Sequence, residues 1–349
     1  MTLKNVIKST RQRVSHRGSL LCLLTALAAC TGPAVEVQAQ SSEPVHDPLV
    51  VDNPDALPEA EFNLQMGDVV VPYDVFSLFV VPGERTELEV LYPQSEAPYV
   101  LRVDGEPVQS TGKNKWSWLA GDKPGTHTME VVNAEGETGM TINVFVKVPA
   151  EEVSGGKLKY YHIGPYPSEN EITHKDLYVE PDGFIEVTKE NQDTKVSPHF
   201  TLKEFISKQR SNYPKFVYLQ APLLLKLEML RREMNLQDIN VDRMVIMSGY
   251  RTPQYNRAIG NVKFSRHVYG DAADIFVDND GNYRMDDLNN DGEHDINDAD
   301  VMAGVINELN KRSDFKALIG GLGVYGPKPH RGAFIHIDTR GIKARWRKP

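Results

Sequence analysis

The stretch "SRHVYGDAADIFVD", residues 265 to 278, places His267 and Asp274 on either side of a Gly270 turn and then becomes apolar enough to enter a sheet. In a strand over 271–277 the side chains alternate, so Ala272, Asp274 and Phe276 share one face while Ala273, Ile275 and Val277 share the other. Asp274 then stands among apolar neighbours, where an unpaired carboxylate is costly and calls for a cation. His267, brought round by the turn, is a suitable co-ligand. In "GAFIHIDTRG" the same alternation puts His336 and Asp338 on one face, with Ile335 and Ile337 on the opposite, core-facing one. Two histidines and an aspartate give zinc three ligands and leave a fourth position for water, which is the catalytic rather than the structural arrangement. Such a metal lowers the pKa of its water towards about 7 and polarises a carbonyl.

A second acid-rich segment follows. "DLNNDGEHDIND", residues 287 to 298, sets Asp287, Asn289, Asp291, Gly292, Glu293, Asp295 and Asp298 at positions 1, 3, 5, 6, 7, 9 and 12 of an EF-hand-type loop. Oxygen ligands on alternate residues, with glycine at the sharp turn, suit a hard cation such as calcium. Position 12 is Asp instead of a bidentate Glu and His294 takes the usually apolar eighth position, so weak affinity is expected. The bland reading is a solvated acidic loop; bound calcium would stiffen the rim of the cleft.

The elements around these residues are legible. "APLLLKLEMLRREMNL" has apolar residues at 223, 224, 227, 230 and 234, a helical period whose stripe reads as core. "VDRMVIMSGYRTPQYNRAIG" reads as a strand, a Ser-Gly turn and a second helix with Thr252 as cap and Pro253 at its first position. Arg251 is thus projected from a turn between strand and helix, where functional side chains are common.

Ser265-x-His267-x-x-Gly270-x-Ala272-x-Asp274 resembles the signature of the zinc D-Ala-D-Ala carboxypeptidase family, which shares its metal-site fold with the Hedgehog signalling domain. "SGYRTPQYN" and "FIHIDTRGIKARW" are similar to that family too, so the likeness runs from 199 to the end. It implies His267, Asp274 and His336 as zinc ligands, Arg251 as a bidentate partner of a substrate carboxylate, and Ser265 as a group that orients the peptide. The general base departs from the pattern. Relatives often carry Glu or His three to six residues before the last zinc histidine, whereas here position 333 is Ala and only His330 falls in that window. Asp338 is the other candidate, although an aspartate orienting a ligand histidine is equally ordinary.

A chain of 349 residues suggests about two domains. Lys4, Lys8, Arg11, Arg13 and Arg17 precede "GSLLCLLTALAA", the layout of a secretory signal over 1–29 and too short a run to span a membrane. Leu27-Ala28-Ala29-Cys30 resembles a bacterial lipobox, which implies cleavage before Cys30, its lipidation and anchoring to a membrane. Thr31 replaces the aspartate of inner-membrane retention, so the expected location is the cell envelope, at the outer membrane facing the periplasm. Cys22 leaves with the signal and Cys30 is acylated, which excludes a disulfide within the fold. Removing the five basic residues of the signal takes the formal charge from −9 to −14, which argues against nucleic acid as a partner. An anionic substrate then needs a local cation.

Residues 30–60 read as a Pro- and acid-rich tether, and 61–148 as short strands between Pro-Gly, Asp-Gly and Glu-Gly turns. Trp116 and Trp118 read there as core rather than as a glycan platform. Residues 149–198 read as a connecting β-rich segment in which His162 and His174 lack ligand-spaced partners. The expected fold is an α+β catalytic domain over 199–349, a small antiparallel sheet with flanking helices and the calcium loop inserted at 278–300. An all-β immunoglobulin-like sandwich precedes it. The expected activity is hydrolysis of peptidoglycan stem peptides, as a D-Ala-D-Ala-type carboxypeptidase or a crosslink endopeptidase. The alternatives are a catalytically inactive wall-binding lipoprotein that keeps the metal site, and a calcium-responsive adhesion protein.

Overall fold

The structure is a computed structural model that describes residues 60–167 and 177–349. The signal at 1–29, Cys30, the tether up to residue 59 and His174 lie outside the described residues. The described chain is mostly β, with few helices and several small sheets. Among the described residues no helix is long and apolar enough to cross a membrane.

The N-terminal strands make two five-stranded sheets. One runs in the order Val69–Val71, Asn63–Met66, Arg85–Leu91, Lys115–Leu119, Ser110–Gly112; the other runs Val75–Val80, Thr138–Val146, Gly125–Val132, Val100–Val103, Glu106–Pro107. Period-two alternation drives both: Arg85–Leu91 exposes Arg85 and Glu87 and buries Thr86, Leu88 and Val90. Trp116 is buried in the core and Trp118 packs half-buried against it. All pairings here are antiparallel except Val75–Val80 on Thr138–Val146, which run parallel.

The boundary read at 199 falls inside shared structure. Val148–Pro149 pairs with Gly183–Val187, whose other edge pairs with Lys215–Val217 from beyond that boundary. One hydrophobic core runs without a break from Ala60 and Phe62 to Ile335 and Ile337. The cause is the apolar content of the connector, where Tyr161, Ile163, Phe184 and Val187 are all buried.

The C-terminal sheet has the order Met244–Ser248, Ala272–Val277, Phe334–Asp338, Gly321–Tyr325, Ala344–Lys348. Three of its pairings are antiparallel, but Ala344–Lys348 lies parallel to Gly321–Tyr325, so the sheet is mixed rather than purely antiparallel. The path explains this: the chain leaves the sheet at Asp338, beside Gly321, and re-enters at Ala344, also opposite Gly321. It must then run the same way. Ala273, Ile275, Ile335 and Ile337 form a buried face under the helices Ala221–Leu236 and Ile296–Leu309. The opposite face carries Asp274, Phe276, Phe334, His336 and Asp338.

Candidate metal centre

Each donor is set by the element that carries it. Asp274 and His336 are direct cross-strand partners on adjacent strands. His267 comes from the short 3-10 turn Arg266–Tyr269, which Gly270 ends in the left-handed conformation at φ 69°. A Cβ on Gly270 would lie 2.6 Å from the Tyr218 carbonyl oxygen, so only glycine allows this approach. Gly249 is needed for a similar reason, since a Cβ there would meet Phe205 Cα at 2.7 Å. Its carbonyl accepts from His267 Nδ1 at 2.7 Å, and the Arg251 amide donates to the His267 carbonyl at 3.0 Å. The turn bearing Arg251 is thereby fastened to the turn bearing His267.

These constraints bring His267 Nε2, Asp274 Oδ1 and His336 Nδ1 within 3.0–3.2 Å of one another, and all three residues are buried. The second nitrogen of each ring is already used: His267 Nδ1 faces the Gly249 carbonyl and His336 Nε2 faces Asp338 Oδ2 at 3.1 Å. With protons held on those outer nitrogens, two lone pairs and a carboxylate oxygen converge. That repels unless a cation lies between them. Ligands about 2.0–2.1 Å from one zinc at near-tetrahedral angles lie roughly 3.3 Å apart, so the observed spacing fits the ion.

Without a metal, a proton can relieve the same crowding. Burial pulls the His336 pKa down, but hydrogen bonds to Asp274 and Asp338 outweigh it and raise it to about 9. Burial lowers His267, only partly offset by the Asp274 charge. For Asp274 burial acts upward, yet the charge and hydrogen bonds of the two histidines hold the carboxyl well below its usual range. Proton and metal therefore compete for His336.

Arg251 stands differently from its sequence reading. Its Nη2 donates to Asp274 Oδ2 at 2.5 Å and its Nε to Ser248 Oγ at 2.9 Å, so part of its fork is committed to the outer oxygen of a metal-ligating carboxylate. Ser265 lines the same cleft, a cavity of about 410 Å³ open to the three donors. Asp338 lies behind His336, fully buried, with Oδ1 accepting from the Gly321 amide at 2.8 Å and from Arg340 Nε at 2.9 Å. Burial would raise its pKa, but His336 and Arg340 hold it well below the usual range, so it orients the ligand ring instead of reaching the cleft. His330 lines a neighbouring cavity, not this one. Among the described residues, the cleft lining contains no acid or histidine besides the three donors.

The 287–298 loop does not gather its oxygens. Asp287 accepts from the Asp291 and Gly292 amides, Asn289 from Asp291, Asp291 from Glu293, and Asp298 from Leu288 and Asp295. Asp298 is spent on the capping box of Ile296–Leu309. Calcium is thus not supported by the geometry; among the described residues, the other group of acids within reach of one another is Asp278, Asp280 and Asp286.

Sequence reading missed three supports. Lys226, in the middle of the Ala221–Leu236 helix, is buried and donates to the Leu318 and Asp338 carbonyls at 2.9 and 2.7 Å. Arg340 clamps Asp338. Trp346 packs on His336 with ring centroids 5.2 Å apart, and its Nε1 donates to Tyr325 Oη at 2.8 Å. Arg340 had a signal, two residues past Asp338 in "HIDTR", and Trp346 closes the family-like stretch "FIHIDTRGIKARW"; Lys226 had none.

A buried His-Asp-His centre at the floor of a cleft, with its outer nitrogens held by a carbonyl and a carboxylate, defines a metallohydrolase-type site. Residues 198–293 match the model of the family described as Peptidase M15, which supports a zinc metallopeptidase for this segment, of a class acting on peptidoglycan. The match holds His267 and Asp274 and stops inside the acid-rich insertion, so His336 joins them through the fold alone. No curated protein matches. Among solved structures, the fibronectin(III)-like modules of Clostridium thermocellum CbhA are 15% identical over 24% of this chain and 94% of theirs, with a TM-score of 0.17.

Proposed function

We propose that the protein is a lipid-anchored, zinc-dependent peptidase acting on peptidoglycan stem peptides, as a D-Ala-D-Ala-type carboxypeptidase or a crosslink endopeptidase. The observation that carries this is the convergence of His267 Nε2, Asp274 Oδ1 and His336 Nδ1 within 3.2 Å, in the order of the peptidase motif, at the floor of an open cleft. When bound, zinc supplies Lewis-acid polarisation of an amide carbonyl and acidifies water. Arg251 and Asp338 hold Asp274 and His336 in place for it. Ser265 borders the space where a peptide would lie. The lipobox supports anchoring through Cys30, and the partners are peptidoglycan peptides and a lipid surface.

One observation favours a second reading, a wall-binding lipoprotein that keeps its metal without turnover: the cleft lining offers no acid or histidine beyond the three donors to shuttle a proton. Mass spectrometry of murein peptides incubated with zinc-loaded protein separates the two. A product formed by the intact zinc form, and by neither a His267→Ala variant nor a chelated sample, is expected; its mass distinguishes released D-alanine from a cut crosslink. No product, with zinc bound and peptides intact, would establish the binding reading instead.

A further inference from the structure

We propose that Lys208 and Arg331 form an anion subsite beside the metal centre that takes a substrate carboxylate and so selects carboxylate-bearing peptides. This rests on the peptide-binding reading above and names which groups on the peptide are recognised. Phe276 is two residues along the strand from Asp274 on the same sheet face, about 6.5 Å away. Over it lies a cavity of about 250 Å³ with Met247 and Phe276 in its wall and Lys208, Arg284, His330 and Arg331 around them.

Both cations are available. Among the described residues neither Lys208 nor Arg331 is in an ion pair, whereas Arg251, Arg266 and Arg340 each hold a carboxylate. The Arg331 guanidinium lies 4.5 Å from the Phe334 ring centroid, and its Nη1 donates only to the Gly326 and Gly332 carbonyls. It is thus held by backbone and ring, with donors left over. Both lie within electrostatic reach of the metal ligand: burial lowers Lys208, with Arg251 adding to the effect and Asp274 opposing it, and burial lowers Arg331 against an upward pull from Asp274. An exposed lysine and a half-buried arginine at the rim of an apolar floor favour an anion with a hydrocarbon stem, which is what a peptide carboxylate presents.

The test uses three versions of one stem-type peptide: both carboxylates free, the terminal one amidated, and the side-chain one amidated. Binding to zinc-loaded wild-type protein, Lys208→Met, Arg331→Met and the double variant is followed by calorimetry, which needs no turnover, with hydrolysis assayed in parallel. Amidating one of the two carboxylates is expected to weaken wild-type binding about tenfold or more, and the position that matters identifies the group bound. In the double variant that ratio falls to about one, with zinc content unchanged. Equal binding of all three peptides by the wild type, no binding of any, or a ratio that survives in both single variants and the double would overturn the subsite. Discrimination without any product would leave the subsite standing and remove the peptidase reading.

Discussion

At the scale of single residues, the centre depends on which nitrogen of each histidine is free. His336 uses Nδ1 towards the triad and Nε2 towards Asp338, while His267 does the reverse, with Nδ1 on a carbonyl. In the metal-free protein the raised pKa of His336, about 9, makes its proton the competitor of zinc. Zinc binding at pH 7 should therefore release close to one proton, and apparent affinity should climb up to about tenfold per pH unit until about 9. Calorimetry in buffers of different ionisation enthalpy reads this directly. The stabilisation that protonated His336 gives the metal-free chain is complete below its unfolded value, about 6.5, and is lost as pH rises through about 9. Asp338→Asn should lower zinc affinity by about 10- to 100-fold, measured by competition with a chelator. The sequence showed the three donors, because alternation in a strand assigns faces; it could not show that Asp338 is closed off by Arg340 and Gly321, since that depends on where the 320s strand lies.

At the scale of elements, position matters more than composition. The Ala221–Leu236 helix was legible to its ends, and Thr252 caps Pro253–Ala258 as its residue type suggests, accepting from the Tyr255 amide at 3.1 Å. Buried Lys226 and Glu228 on the first helix were not legible, because a polar residue on a helix reads as solvated until its partners are known. Glu228 accepts from Ser197 Oγ at 2.6 Å and His199 Nδ1 at 2.7 Å, both from the preceding hairpin. The sharpest dependence on a single element end is the Gly270 turn that delivers His267. Gly270→Ala combines a positive φ with a 2.6 Å approach to the Tyr218 carbonyl, and should cost about 3 kcal/mol in urea unfolding along with reduced zinc content.

At the scale of the whole molecule, the two N-terminal sheets and the metal-bearing part share one core and a small sheet built from Val148–Pro149, Gly183–Val187 and Lys215–Val217. The described residues should therefore unfold in one cooperative step, with the near-ultraviolet signal and bound zinc lost together in a denaturant titration. Two separate transitions would contradict this. Such pairings were beyond the sequence because edge strands of two or three residues carry almost no periodicity, and Lys208 and Arg331 line one cavity from 123 positions apart. Anomalous diffraction at the zinc edge from crystals of zinc-loaded protein locates the metal. A single strong peak contacting His267 Nε2, Asp274 Oδ1 and His336 Nδ1, and absent from a His336→Ala crystal, is the predicted result. No peak there, or a zinc ion held by other side chains, would rule out this centre.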